Sequence, residues 1–121
     1  MPQYGVLVYL PAPADPIGFT TGYIEAIDDY PERVKRLGGK VLGGSYFANQ
    51  RGFAFDSSCG AVSVEADEVR TGPLLALPLV PAAFFVLSAP DMKTAVQAAQ
   101  AHPATATGGI EVRGLYPEPK T

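Results

Sequence analysis

From Tyr4 to Leu10 the chain runs Tyr-Gly-Val-Leu-Val-Tyr-Leu without a polar break, the pattern of a central strand covered on both faces. Pro11, Pro13 and Pro16 end it, because proline cannot donate to a ladder. Asp15 followed by Pro16 predicts a helix start, with aspartate as N-cap and proline in the first turn. Between Ile17 and Leu37 the apolar residues Ile24, Ile27, Val34 and Leu37 recur at helical spacing. Pro31 lies inside that pattern, with Asp29 and Glu32 around it in the order of a capping box. The expectation is one helix kinked at Pro31; two helices meeting there is the alternative. Gly38-Gly39 stops the segment, glycine being free to take the left-handed conformation after a helix.

Residues 40–49 predict a second strand, in which Gly43-Gly44 marks a bulge or a close backbone approach. Residues 52–56 and 61–66 read as a short hairpin around the loop Ser57-Ser58-Cys59-Gly60. Glu65, Asp67 and Glu68 make the next segment acidic, and Thr71-Gly72-Pro73 is a turn. A strand over residues 83–87 follows. Asp91 then opens a helix with an apolar stripe of Met92, Ala95, Val96 and Ala99, which must end near Ala101 because Pro103 disfavours helical geometry before it. The last alternating segment is Gly109 to Gly114. Ile110 and Val112 fall on one face, and Glu111, Arg113 and Leu115 on the other.

The order is thus strand, helix, strand, hairpin, strand, helix, strand, within a single domain over residues 1–121. It predicts a ferredoxin-like α+β fold, an antiparallel sheet with two helices on one face. The helix-free face is expected to carry Phe84 or Phe85, Leu87 and Leu115. In so short a chain a second copy is the simplest cover, giving a homodimer whose two sheets face each other as an α+β barrel.

Composition narrows the partners. Apolar residues make up 47% and charged residues 17%, as in a folded globular chain. The net charge of −3 argues against nucleic acid, which requires a basic face. Arg33, Lys35 and Arg36 read as the solvated side of a helix. The apolar stretch from Leu74 to Ala89 falls short of the roughly 20 residues of a spanning helix. Pro78 and Pro81 also interrupt it, so no membrane partner is expected. The N-terminus has neither a basic region nor an apolar run long enough for a secretory signal. The single Cys59 excludes an intrachain disulfide and, with that N-terminus, predicts a cytoplasmic protein.

The segments MPQYGVLVYLP, RLGGKVLGG, TGP, FFVL, DMKTAVQAAQAHP and GGIEVRGLYP stand in the order typical of YCII-related proteins, a family also named for its DGPF motif. The chain resembles that family over essentially its whole length. The resemblance implies a dimeric α+β barrel with an active-site cavity beside the sheet. Two motifs depart from the family pattern. Thr71-Gly72-Pro73-Leu74 stands where the family has Asp-Gly-Pro-Phe, and Gly114 stands where the family's closing motif continues with proline. The His–Asp pair in the first half of some members has no counterpart, because this chain has no histidine before His102.

The groups with chemistry to offer are few. Glu111 and Arg113 project into the space beside the sheet, as an interface ion pair or as a ligand anchor in which the planar guanidinium holds a carboxylate or phenolate. His102 is either a helix-end residue bonding the last carbonyls or an acid–base group at a pocket rim. Arg113, Glu111 and His102 are therefore the catalytic candidates. Arg113, Tyr9, Tyr46 and Phe85 are the ligand-binding ones, with the tyrosines equally readable as packing. Asp56 ranks below them, and Cys59 has no adjacent base to activate it. One histidine and one cysteine leave no metal site, and neither nucleotide-binding glycine motif is present, so no cofactor is expected. Two functions remain. One is a cofactor-independent enzyme performing elimination, isomerisation or cyclisation on a hydrophobic or aromatic molecule held in the barrel. The other is a non-catalytic ligand-binding or regulatory dimer.

Overall fold

A computed structural model describes residues 1–48, 53–54, 70–71, 75 and 77–116. Its elements in chain order are β1 (Gln3–Pro11), α1 (Thr21–Arg36), β2 (Lys40–Tyr46), β3 (Phe53–Ala54), β4 (Arg70–Thr71), β5 (Leu79–Ser88), α2 (Met92–Gln100) and β6 (Gly109–Gly114). Four strands form one sheet in the order β2-β5-β1-β6, every neighbouring pair antiparallel. That order, with α1 and α2 as crossovers, is a ferredoxin-like α+β fold, as expected from the element sequence. β3 and β4 pair separately. Phe53 and Ala54 thus find their partners at Thr71 and Arg70, whereas the expected partner segment 61–66 and loop 57–60, with Asp56, Cys59 and the Gly-Pro-Leu of the turn motif, lie outside the described residues.

β1 is central but is not covered on both faces. Tyr4, Val6, Val8 and Leu10 are buried, whereas Gly5, Leu7 and Tyr9 between them are only half-buried. Opposite them in β5, Phe85 and Leu87 share the buried face, and Val86 and Phe84 share the open one. This corrects the expectation for Leu87, which has no exposed surface, and selects Phe84 over Phe85 for the open face. Two adjacent phenylalanines must point to opposite faces of a strand, and the register with Val6 and Leu7 decides which. β5 also starts earlier than expected, running through Pro81. That residue lies at a register irregularity beyond Ala83, the last partner of β2, where a proline is tolerated.

The helices begin and end by local chemistry. Asp15 caps only a short 3-10 turn over Pro16–Gly18, and α1 starts later, with Thr20 Oγ1 accepting from Tyr23 N at 3.1 Å. α1 runs through Pro31 as one helix, and Asp29 pairs with Arg33 one turn on at 3.2 Å instead of capping. Gly38 takes φ 97°, and Gly39 N donates to Val34 O, closing the helix as the double glycine predicts. The buried side of α1 is Tyr30 and Val34, with Tyr23 half-buried; Ile24 and Leu37, expected inside, are exposed. In α2, capped by Asp91 on Thr94 N at 2.8 Å, the buried stripe is Ala95, Ala98 and Ala99, not Met92 and Val96. Alanines let α2 lie close to the sheet. The Tyr30 hydroxyl ties the helices together by donating to Ala98 O at 2.6 Å.

The core lies between helices and sheet, where Leu87, Val6, Val8 and Val34 are the largest fully buried side chains. Each contributes roughly 1.5–3 kcal/mol through removal from water. At Gly44 the φ of 156° and the nearness of Phe84 O and Phe85 Cβ leave no room for a side chain, the close approach that Gly43-Gly44 predicts.

Candidate functional site

The sheet divides the candidate residues into two groups. His102, Tyr46 and Phe85 stand on the helix side; Tyr9, Glu111 and Arg113 stand on the open side. His102 therefore does not converge with Arg113 and Glu111 in one pocket.

On the helix side, α2 ends at Gln100, and Pro103 forces a change of direction that turns His102 inward as the cap of a second 3-10 turn, Pro103–Ala106. Its Nδ1 accepts from Ala104 N at 3.0 Å. The proton therefore resides on Nε2, which lies 3.2 Å from Tyr46 Oη and donates to it. Tyr46 Oη in turn is hydrogen-bonded to Tyr23 Oη at 3.2 Å. The imidazole is 3% exposed, stacked on Phe85 at 5.8 Å and met edge-on by Tyr30 at 4.8 Å. Burial lowers its pKa to about 4 and raises those of Tyr23, Tyr30 and Tyr46. His102 is thus neutral at neutral pH with both ring nitrogens occupied. Its ring caps the following turn and makes no bond to the last carbonyls of its helix, which its backbone N–H meets at Ala99 O, and Phe85 packs against the ring.

The open side holds a different arrangement. Alternation in β6 places Gly109, Glu111 and Arg113 on this face, and register sets Tyr9 opposite Gly109, Leu7 opposite Glu111 and Gly5 opposite Arg113. Tyr9 Oη donates diagonally to Glu111 Oε1 at 3.0 Å. Arg113 donates to Glu111 Oε2 through Nε at 2.9 Å and Nη2 at 2.7 Å. The ion pair is open to solvent, with 42% of the Glu111 side chain and 72% of the Arg113 side chain exposed. The Arg113 hydrogen bonds, then that of Tyr9, hold the Glu111 carboxyl below its ordinary pKa. The same contacts raise Tyr9 and Arg113.

Beside this triad lies a groove of about 620 Å³ lined by Tyr9, Leu77, Pro78, Leu79, Gly109, Ile110 and Glu111. Space around the Gly109 Cα is open, because nothing lies within 4 Å of where a side chain would begin. The same face carries apolar side chains beside the exposed polar Gln3, Lys40 and Ser45: Leu7 is half-buried, Phe84 is 44% exposed, and Phe84 stacks on Phe47 at 5.7 Å. Leu115 covers Gly5.

The sequence pattern pointed to Glu111, Arg113 and Tyr9, and it missed Leu77, Leu79 and Gly109. These carried a signal only as an apolar run before a strand and a glycine at a strand start; their meeting depends on the antiparallel return of β5 and β6 beside β1. Tyr23 and Tyr30 were missed as well, although they share one helical face with Val34. Among the described residues no cluster of three or more His, Cys, Asp or Glu is placed to hold a metal, and no helix is long and apolar enough to cross a membrane. No family model matches the chain, and no curated protein matches it.

Proposed function

We propose that the protein is a homodimeric small-molecule-binding protein of the YCII-related kind, holding an apolar or aromatic ligand in the groove beside Tyr9 and Glu111. The observation that carries this reading is the groove itself, an apolar concavity with a preassembled polar group at its rim, set in a sheet face rich in exposed apolar side chains. A second copy packed on Leu7, Phe84 and Phe47 would cover those side chains and roof the groove. Family membership in this reading rests on the sequence motifs, and the cytoplasmic setting on the single Cys59.

Binding is favoured over catalysis by the state of the polar groups. A general base works best with a pKa near the operating pH. Glu111 is instead held ionised by three donors, and His102 is on the far side of the sheet with both nitrogens occupied. The test pairs sedimentation equilibrium with calorimetry against a panel of hydrophobic small molecules. A dimer at micromolar concentration that binds members of the panel without converting them is the expected result. A monomer would remove the roof, and product formation would restore the enzyme reading.

A further inference from the structure

Both side chains that supply polar atoms to the groove have already committed their hydrogen-bonding capacity. Tyr9 has one hydroxyl hydrogen and gives it to Glu111 Oε1, so toward a ligand its oxygen can only accept. Of the roughly four lone-pair positions on a carboxylate, Tyr9 takes one on Oε1 and Arg113 fills Oε2 with two N–H groups. One position on Oε1 remains. The other lining residues, Leu77, Pro78, Leu79, Gly109 and Ile110, contribute no side-chain donor. Arg113 does not line the groove; it stands across from Gly5, farther along β6 from the Tyr9–Gly109 end.

We propose that the groove selects an apolar molecule bearing an ammonium or another cationic nitrogen donor over an apolar acid. The inference rests on the groove being a small-molecule site. It reverses what Arg113 alone suggests, because that guanidinium is engaged by Glu111 and the charge at the groove wall is the carboxylate. An ammonium has three donors and meets the Tyr9 oxygen and Glu111 Oε1 together. An alcohol supplies one donor. A carboxylate brings further acceptors against acceptors and like charge against Glu111, the arrangement by which a site rejects a ligand.

The test is calorimetry of the full chain near neutral pH with three probes that share a chain and differ in headgroup: octylammonium, 1-octanol and octanoate. Octylammonium is expected to bind at least about tenfold more tightly than octanoate, a difference of about 1.4 kcal/mol, with octanol between them. Glu111→Gln, which removes the charge and releases Arg113, is expected to abolish or invert that ratio, while Tyr9→Phe narrows the advantage of octylammonium over octanol. Circular dichroism checks that both variants keep the fold. Octanol or octanoate binding as tightly as octylammonium to the native protein would overturn the inference and leave the groove a binding site. An ammonium preference that persists undiminished in Glu111→Gln would also overturn it, assigning the effect to overall acidity. If none of the three probes binds, the small-molecule site fails, and the inference with it.

Discussion

Tyr46 and His102, far apart in sequence, meet under the helices with Oη 3.2 Å from Nε2, and the backbone N–H of Ala104 on Nδ1 makes the imidazole the donor of that pair. Tyr46 Oη is in turn hydrogen-bonded to Tyr23 Oη at 3.2 Å, which links His102 to both tyrosines. The Ala104 bond requires a neutral imidazole, since protonated His102 could no longer accept from Ala104.

Stability should therefore depend on His102 protonation. Its folded pKa of about 4 lies below the ordinary 6.5, so the unfolded chain takes up a proton first as pH falls. The contribution is complete above about pH 6.5 and is lost progressively toward pH 4, a total on the order of 3 kcal/mol. His102→Asn keeps an acceptor for Ala104 N and cannot titrate. Urea midpoints near pH 7 and near pH 5 should fall for the native protein and stay nearly level for the variant; equal pH slopes would refute the account.

Phe84 and Leu87 should respond in opposite ways to truncation, since one faces solvent and the other is enclosed. Leu87→Ala is expected to lower unfolding free energy by about 2–5 kcal/mol. Phe84→Asp should leave circular dichroism unchanged and convert the proposed dimer to a monomer in sedimentation equilibrium. A Phe84→Asp protein that stays dimeric would place the interface elsewhere.

Gly109→Val should block the groove. The new side chain enters open space on the Tyr9 face, so folding is expected to proceed normally. Ligand affinity, read by calorimetry, should drop at least about tenfold if the groove is the site, which is about 1.4 kcal/mol.

Gly108→Ala tests the turn that delivers β6. A side chain there would strike the Tyr9 carbonyl, and Gly108 N is held by Ala104 O at 2.7 Å, so the strand cannot easily move aside. The expected loss is about 1–3 kcal/mol by urea denaturation. Gly43→Ala, with open space around it, should change stability by less than about 0.5 kcal/mol.

The sequence alone determined those features that depend on near neighbours in the chain. Asp91 as a cap, Gly38-Gly39 as a stop, the Gly43-Gly44 anomaly and the alternation that sets Glu111 and Arg113 on one face all follow from local geometry. The ferredoxin-like order follows from the succession of such elements. Tertiary structure decided the phase and the company. Which of Phe84 and Phe85 turns inward, whether Ile24 or Tyr30 is buried, and whether Pro31 breaks α1 each depend on what packs opposite. His102 shows the difference most clearly. Its position after a helix and before a proline was plain in the sequence. Its separation from Glu111 and Arg113 was not, because the sheet between them is assembled from strands remote in the chain, and their register is set by the burial of the whole core.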